Sequence, residues 1–172
     1  MMNTLAAIVY SSGFQIDAFM AGLAGQMKQQ GRKLGGVVQH NGDDCGDGCH
    51  SMALEDLTNG RRFPISEDRG AGASGCRLDV AGLAAAGGAV AAALTDNIDL
   101  VIVNKFGRQE HLGRGLRQEI AAAALSGLPV LIAVREDFVS AWREFAGDDW
   151  TRLPAEIRAV ESWAAARLAV PA

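Results

Sequence analysis

Three short runs, LAAIVY (5–10), LVIV (100–103) and PVLIAV (129–134), are apolar at nearly every position instead of at every second one. Strands written this way are covered on both faces, which points to a parallel sheet between helix layers. The intervening residues agree. Phe19, Met20, Leu23 and Met27 recur at helical spacing between Ala18 and Gln30, and Gly31 closes that segment. LGGVVQ (34–39) follows as a second strand whose paired glycines predict a close backbone approach. Strand, helix, strand is one βαβ unit, for which a right-handed crossover is expected.

The middle of the chain reads differently. SMALEDLTNGRRFPISED (51–68) places Asn59-Gly60 between two extended segments, predicting a tight β-hairpin. A glycine-rich loop, RGAGASGCRLD (69–79), leads into an alanine-rich helix from Val80 to Leu94. A further helix is expected from Leu116 to Ser126, ended by Gly127 and Pro129. The tail, with Trp142, Trp150 and Trp163, is expected to fold as one or two short helices over the sheet. In AWREFAG (141–147), Trp142 and Phe145 have the i, i+3 spacing of a helix packing on the core. The predicted class is α/β, as a single domain over residues 1–172 with a mostly parallel sheet and an inserted hairpin.

Bulk properties narrow the partners. A net charge of -4 offers no basic surface for nucleic acid, and no apolar run reaches the roughly 18 to 20 residues that cross a bilayer. The first residues, MMNTLAAIVY, lack a basic leader region, so a cytoplasmic location is expected. The alanine-rich helices leave room for a homodimer surface.

In sheets of this kind ligands bind beyond the carboxyl ends of the strands. Four such tips can be named: Tyr10 to Gly13, Gln39 to Asn41, Asn104 to Gly107, and Arg135 to Glu136. The first precedes a helix start, where free amides and the helix dipole favour an anion, and Ser11, Ser12 and Gly13 are small enough to let one approach. The third bears Lys105, Arg108, Arg114 and Arg117, and residues 70–75 add a candidate backbone nest. Taken singly, these cations and glycines fit a solvated rim and ordinary turns; their convergence on strand tips is what points to a small anionic ligand.

LEDLTNGRR, GCRLD, DLVIVNKFGRQE, GRGLRQEIAAA, GLPVLIAVRE and AWREFAG, taken together, resemble a bacterial domain-of-unknown-function family. That family is grouped with the P-loop NTPase-like proteins and found near molybdate-transport genes. More distantly, the order of elements is similar to the THEP-type nucleoside triphosphatases. The resemblance implies a three-layer α/β domain of P-loop NTPase-like topology.

The chain departs from the working motifs of such enzymes. A phosphate loop needs G-x-x-x-x-G-K-[ST], so that amides, lysine and hydroxyl hold the phosphates and Mg²⁺. Here that place reads YSSGFQIDAF, without the lysine or the following hydroxyl. The second motif needs an aspartate for Mg²⁺ and a glutamate to orient water. Asn104 and Lys105 stand there, while Gly107 and Glu110 match. An amide is a poor Mg²⁺ ligand beside a carboxylate, and a protonated lysine is no base. The expectation is a nucleotide- or oxyanion-binding protein in which Lys105, with Arg108 or Arg114, holds phosphate, molybdate or a nucleotide opposite Ser11–Gly13, assisted by Asn104. The alternative is a divergent nucleoside triphosphatase with Glu110 as catalytic base.

DDCGDGCHS (43–51) raises a third possibility. Cys45 and Cys49 have a spacing that zinc permits, with His50 adjacent and Cys76 in SGCRLD as a third thiol. Zinc binding or molybdate handling by Cys45, Cys49, His50 and Cys76 stands beside the reading of the same segment as a glycine-aspartate loop with incidental thiols.

Overall fold

A computed structural model of the chain describes residues 3–44, 50–67 and 77–168. Its main sheet has seven strands: β1 (Leu5–Tyr10), β2 (Leu34–Asp44), β3 (His50–Asp56), β4 (Arg62–Pro64), β7 (Leu100–Phe106), β8 (Val130–Arg135) and β9 (Thr151–Pro154). They lie in the order β4-β3-β2-β7-β8-β1-β9. β2, β7, β8, β1 and β9 run parallel, and β3 and β4 add an antiparallel margin. A two-stranded ribbon, β5 (Ser66–Glu67) with β6 (Arg77–Leu78), forms a second, small sheet beside β3, where the Met52 N–H donates to the Ser66 hydroxyl at 2.9 Å.

The helices are α1 (Ile16–Gln29), α2 (Val80–Ala93), α3 (Arg108–His111), α4 (Arg117–Leu125), α5 (Val139–Ala146) and α6 (Ile157–Leu168). They divide between the two faces, making three layers. The unbroken apolar strands are what require this. In β7, Leu100 and Ile102 pack with Met20, Leu23 and Met27 of α1 and Trp163 of α6. Val101 and Val103 pack on the opposite side with Val90 of α2, Ile120 of α4 and Trp142 of α5. Each such buried side chain contributes about 1.5–3 kcal/mol, so stripping a helix layer from either face would not be tolerated.

Local signals work as read. Helix α1 stops where Gly31, at φ +86°, lets its own N–H reach the Lys28 carbonyl and that of Arg32 reach Met27, a Schellman closure. The glycine pair does mark a close approach. A Cβ on Gly35 would lie 2.6 Å from Ile98 Cδ1 and 2.9 Å from Ala93 Cβ, and one on Gly36 would overlap the Ile102 carbonyl oxygen.

Three details differ from expectation. The hairpin forms, but its connection runs from Leu57 to Arg61 and is closed by the Asp56 N–H on the Arg61 carbonyl at 2.8 Å, so it is not a two-residue turn. Strand β2 continues past Gln39 to Asp44, because pairing with β3 extends it. The tail adds a parallel edge strand, β9, besides its helices; too short to show a period, it ends in a proline that only an edge tolerates.

Candidate carboxyl-edge site

The chain leaves β1 towards β2 and leaves β8 towards β9, in opposite directions across the sheet. The crevice beyond the strand ends at such a reversal is where open α/β sheets receive ligands. Beside it, α1 presents its first turn to the end of β7.

Strand β7 carries an irregularity there. Val103 is level with Ile132 of β8, yet Lys105 is level with Ala133, so Asn104 is the extra residue of a β-bulge. Strict alternation would send Asn104 and Lys105 to opposite faces. With the bulge both reach the α1 side, while Phe106 returns to the core shared with Trp142.

What they reach is Asp17, in the first turn of α1. Its Oδ1 accepts from Asn104 Nδ2 at 2.7 Å and from Lys105 Nζ at 3.1 Å. Its Oδ2 accepts from Asn41 Nδ2 at 2.9 Å and from Lys105 Nζ at 3.3 Å. The amide of Asn104 also works in the other direction, its Oδ1 accepting the Gln39 backbone N–H at 3.0 Å. That N–H lies just past the last β2–β7 rung, at Val37 and Val103, so the side chain continues the ladder that the bulge interrupts. Gln39 Nε2 then donates to Asn41 Oδ1 at 2.9 Å, closing a ring of Asp17, Asn104, Gln39 and Asn41. Asn104 is only 3% exposed and Gln39 8%. An acid in the first helical turn also meets the positive end of the α1 dipole.

Asp17 was not among the residues that the motifs marked. Counting the phosphate-loop spacing from Ser11 puts Ile16 sixth and Asp17 seventh, the place of the lysine. Asp17 and Lys105 meet there as an ion pair at 3.1 Å.

Other expected residues are placed as follows. Ser11, Ser12 and Gly13 form an exposed turn, Gly13 at φ +90°, with the Phe14 N–H on the Ser11 carbonyl. Arg108 and Arg114 are exposed and, among the described residues, carry no ion pair. Arg117 is engaged, donating to the Glu110 carbonyl and lying 4.9 Å over the Phe145 ring. Glu110 is buried, and its two oxygens accept the backbone N–H groups of Gly107 at 3.0 Å and Leu116 at 3.2 Å. That arrangement ties the loop on either side of α3 and leaves the carboxylate occupied. His40 bonds Glu55 at 2.7 Å on the neighbouring strands. Trp142 is fully buried against Phe106 and Phe145, as its spacing predicted.

At the β1 and β8 tips, Tyr10 is level with Arg135. Burial pushes the Tyr10 phenol above its ordinary value, and the Asp17 charge adds to this while Arg135 opposes it. Arg135 forms a two-pronged bond to Asp137, which holds that carboxyl below the usual range.

The cluster does not fit Mg²⁺. Its carboxylate offers about four lone-pair directions, and two amides and an ammonium already take them. Cys45, Cys49, Cys76 and residues 70–75 lie outside the described residues, and of His50 only the backbone is described. Among the described residues, no group of three or more His, Cys, Asp or Glu is placed to hold a metal ion. No helix among them is long and apolar enough to cross a membrane.

Comparison with known proteins agrees with this architecture. A family model described as "Protein of unknown function (DUF2478)" matches residues 5–163. The molybdenum import ATP-binding protein ModC 2 of Bradyrhizobium diazoefficiens is 43% identical over 162 residues, covering 94% of this chain. The match spans 18% of that protein's length, so the chain corresponds to one part of a much longer relative. A human cancer-related nucleoside triphosphatase, solved in solution, superposes with a TM-score of 0.60 at 16% identity, over 91% of this chain and 92% of that one. The likeness establishes a P-loop NTPase-like α/β fold.

Proposed function

The chain belongs to the DUF2478 family, and on that premise we propose that it is a nucleotide- or oxyanion-binding domain that performs no magnesium-dependent hydrolysis. The observation that carries this reading is the Asp17–Lys105 pair, 3.1 Å apart; counted by the motif spacing, it reads as a phosphate-loop lysine and a metal-holding carboxylate with their charges exchanged.

Binding is supported by what remains at the edge. Lys105 keeps about a third of its side chain exposed, and Arg108 and Arg114 project from the segment that follows it. The exposed turn Ser11–Gly13 opens next to the α1 N-terminus. These donors suit phosphate, molybdate or the phosphate tail of a nucleotide, and Asn104 holds Lys105's strand end in position. The relative, named as an ATP-binding protein of molybdenum import, agrees with either ligand.

Absence of hydrolysis follows from chemistry. A γ-phosphoryl transfer needs a divalent cation bridging phosphate oxygens and a group that orients water. Asp17 is bound to two amides and shares its charge with the Lys105 ammonium, which repels a divalent cation, and Glu110 is held by two backbone amides, so neither is set up to serve. The test pairs two measurements on the unaltered chain. Titration calorimetry with ATP, GTP, phosphate, molybdate and tungstate is expected to detect at least one ligand. A phosphate-release assay with ATP and GTP is expected to stay at the blank with and without Mg²⁺. Mg²⁺-stimulated release abolished by Glu110→Gln would overturn the reading in favour of an enzyme.

A further inference from the structure

Binding of an anion at Lys105 brings that anion against Asp17, and this proximity dictates which anions can stay. Of the donors on Asp17, the two amides are both tied to Gln39. Asn104 is buried and clamped by the Gln39 N–H, and Asn41 is held by the Gln39 side chain. Lys105 makes the longest contacts, at 3.1 and 3.3 Å, and is the partner with freedom to swing. A ligand therefore enters by displacing one Lys105 contact, and afterwards faces the ammonium on one side and a carboxylate oxygen on the other.

An ionised carboxylate only accepts hydrogen bonds. A fully ionised oxyanion has no donor to offer it, so two lone pairs would meet within contact distance and repel. An oxyanion that retains a proton donates that O–H to Asp17 while accepting from Lys105, which turns the repulsion into a charge-assisted hydrogen bond. At neutral pH phosphate and terminal phosphate monoesters still hold a proton for part or all of the time, whereas sulfate and molybdate are fully ionised.

We infer that Asp17 is the specificity-determining residue of this edge, admitting oxyanions that carry an O–H and rejecting those that do not. The inference rests on the anion-binding reading above and narrows it to the phosphate class, as free phosphate or as the terminal group of a nucleotide.

Titration calorimetry at neutral pH with inorganic phosphate, ATP, sulfate and molybdate, on the unaltered chain and on Asp17→Asn, tests it. Phosphate or ATP is expected to bind about tenfold or more tightly than sulfate and molybdate, the usual size of one gained or lost charged hydrogen bond. The phosphate and ATP arms separate the free ion from the nucleotide tail. In Asp17→Asn the amide supplies an N–H, so sulfate and molybdate gain about tenfold and the gap closes. Sulfate or molybdate binding as tightly as phosphate to the unaltered chain would overturn the inference while leaving anion binding intact; so would a gap that survives in Asp17→Asn. No binding by any of the four would remove the proposed function as well. Should Asp17→Asn fail to fold, the selectivity of the unaltered chain alone decides.

Discussion

Asp17 and Asn104, 87 positions apart in the chain, meet at 2.7 Å across the first turn of α1 and the bulge of β7. Because Asn104 also accepts the buried Gln39 N–H, one amide joins helix, central strand and neighbouring strand. Asn104→Ala leaves that N–H and the Asp17 carboxylate each short of a partner. It is expected to cost about 1–3 kcal/mol in chemical denaturation. Lys105→Met, at a partly exposed ion pair, is expected to cost less than about 1 kcal/mol. Equal losses would mean that the amide is not the structural centre of the cluster.

Tyr10 is the sole tyrosine, so its ionisation can be followed by phenolate absorbance without interference. Burial first, and then Asp17, raises its pKa above the ordinary 10.0. A raised folded-state value means that the phenol stabilises the fold below the ordinary pKa, and that this contribution is lost as pH climbs through the raised one. The expected titration midpoint lies above 10.0 in the native chain and moves part of the way back in Asp17→Asn. An unshifted midpoint would show that Tyr10 does not feel the cluster.

Glu110 is expected to matter for stability. Glu110→Gln replaces one acceptor oxygen with an N–H that faces a backbone donor at Gly107 or Leu116. The expected loss is about 1.5–3 kcal/mol, with ligand affinity unchanged once the variant is folded. Thermal denaturation alongside calorimetry checks both parts.

Gly36, at φ +99°, has no room for a methyl group against the Ile102 carbonyl. Gly36→Ala combines a left-handed backbone with a clash inside the β2–β7 ladder. It is expected to cost about 3 kcal/mol or more, and to appear as loss of the folded baseline in far-UV circular dichroism.

Much of the architecture was legible in the residues. Unbroken apolar runs such as LAAIVY and PVLIAV fitted strands covered on both sides, and the Gly35–Gly36 pair announced a close approach that the structure contains. Asn59-Gly60 marked a reversal, although the longer loop depends on the Asp56 and Asn59 side chains accepting from the Thr58 and Arg61 N–H groups, which a dipeptide does not encode. At the site, the tip of β7 was visible as a burst of polarity on a buried strand. Asp17 was not, since an acid early in a helix reads as ordinary dipole capping. Only the β7 bulge, a pairing event with β8, turns Lys105 and Asn104 together towards it. Counting seven places from Ser11 would have marked the position.

The exchanged pair is tested most directly by calorimetry of phosphate and ATP into the unaltered chain and into Lys105→Ala, each with and without Mg²⁺. The account predicts that binding needs no Mg²⁺, that ATP binding is not strengthened by it, and that affinity is about tenfold or more weaker in Lys105→Ala, since the ammonium is the cation that meets the ligand. Affinity that requires Mg²⁺ or is raised by it, or that survives unchanged in Lys105→Ala, would contradict it.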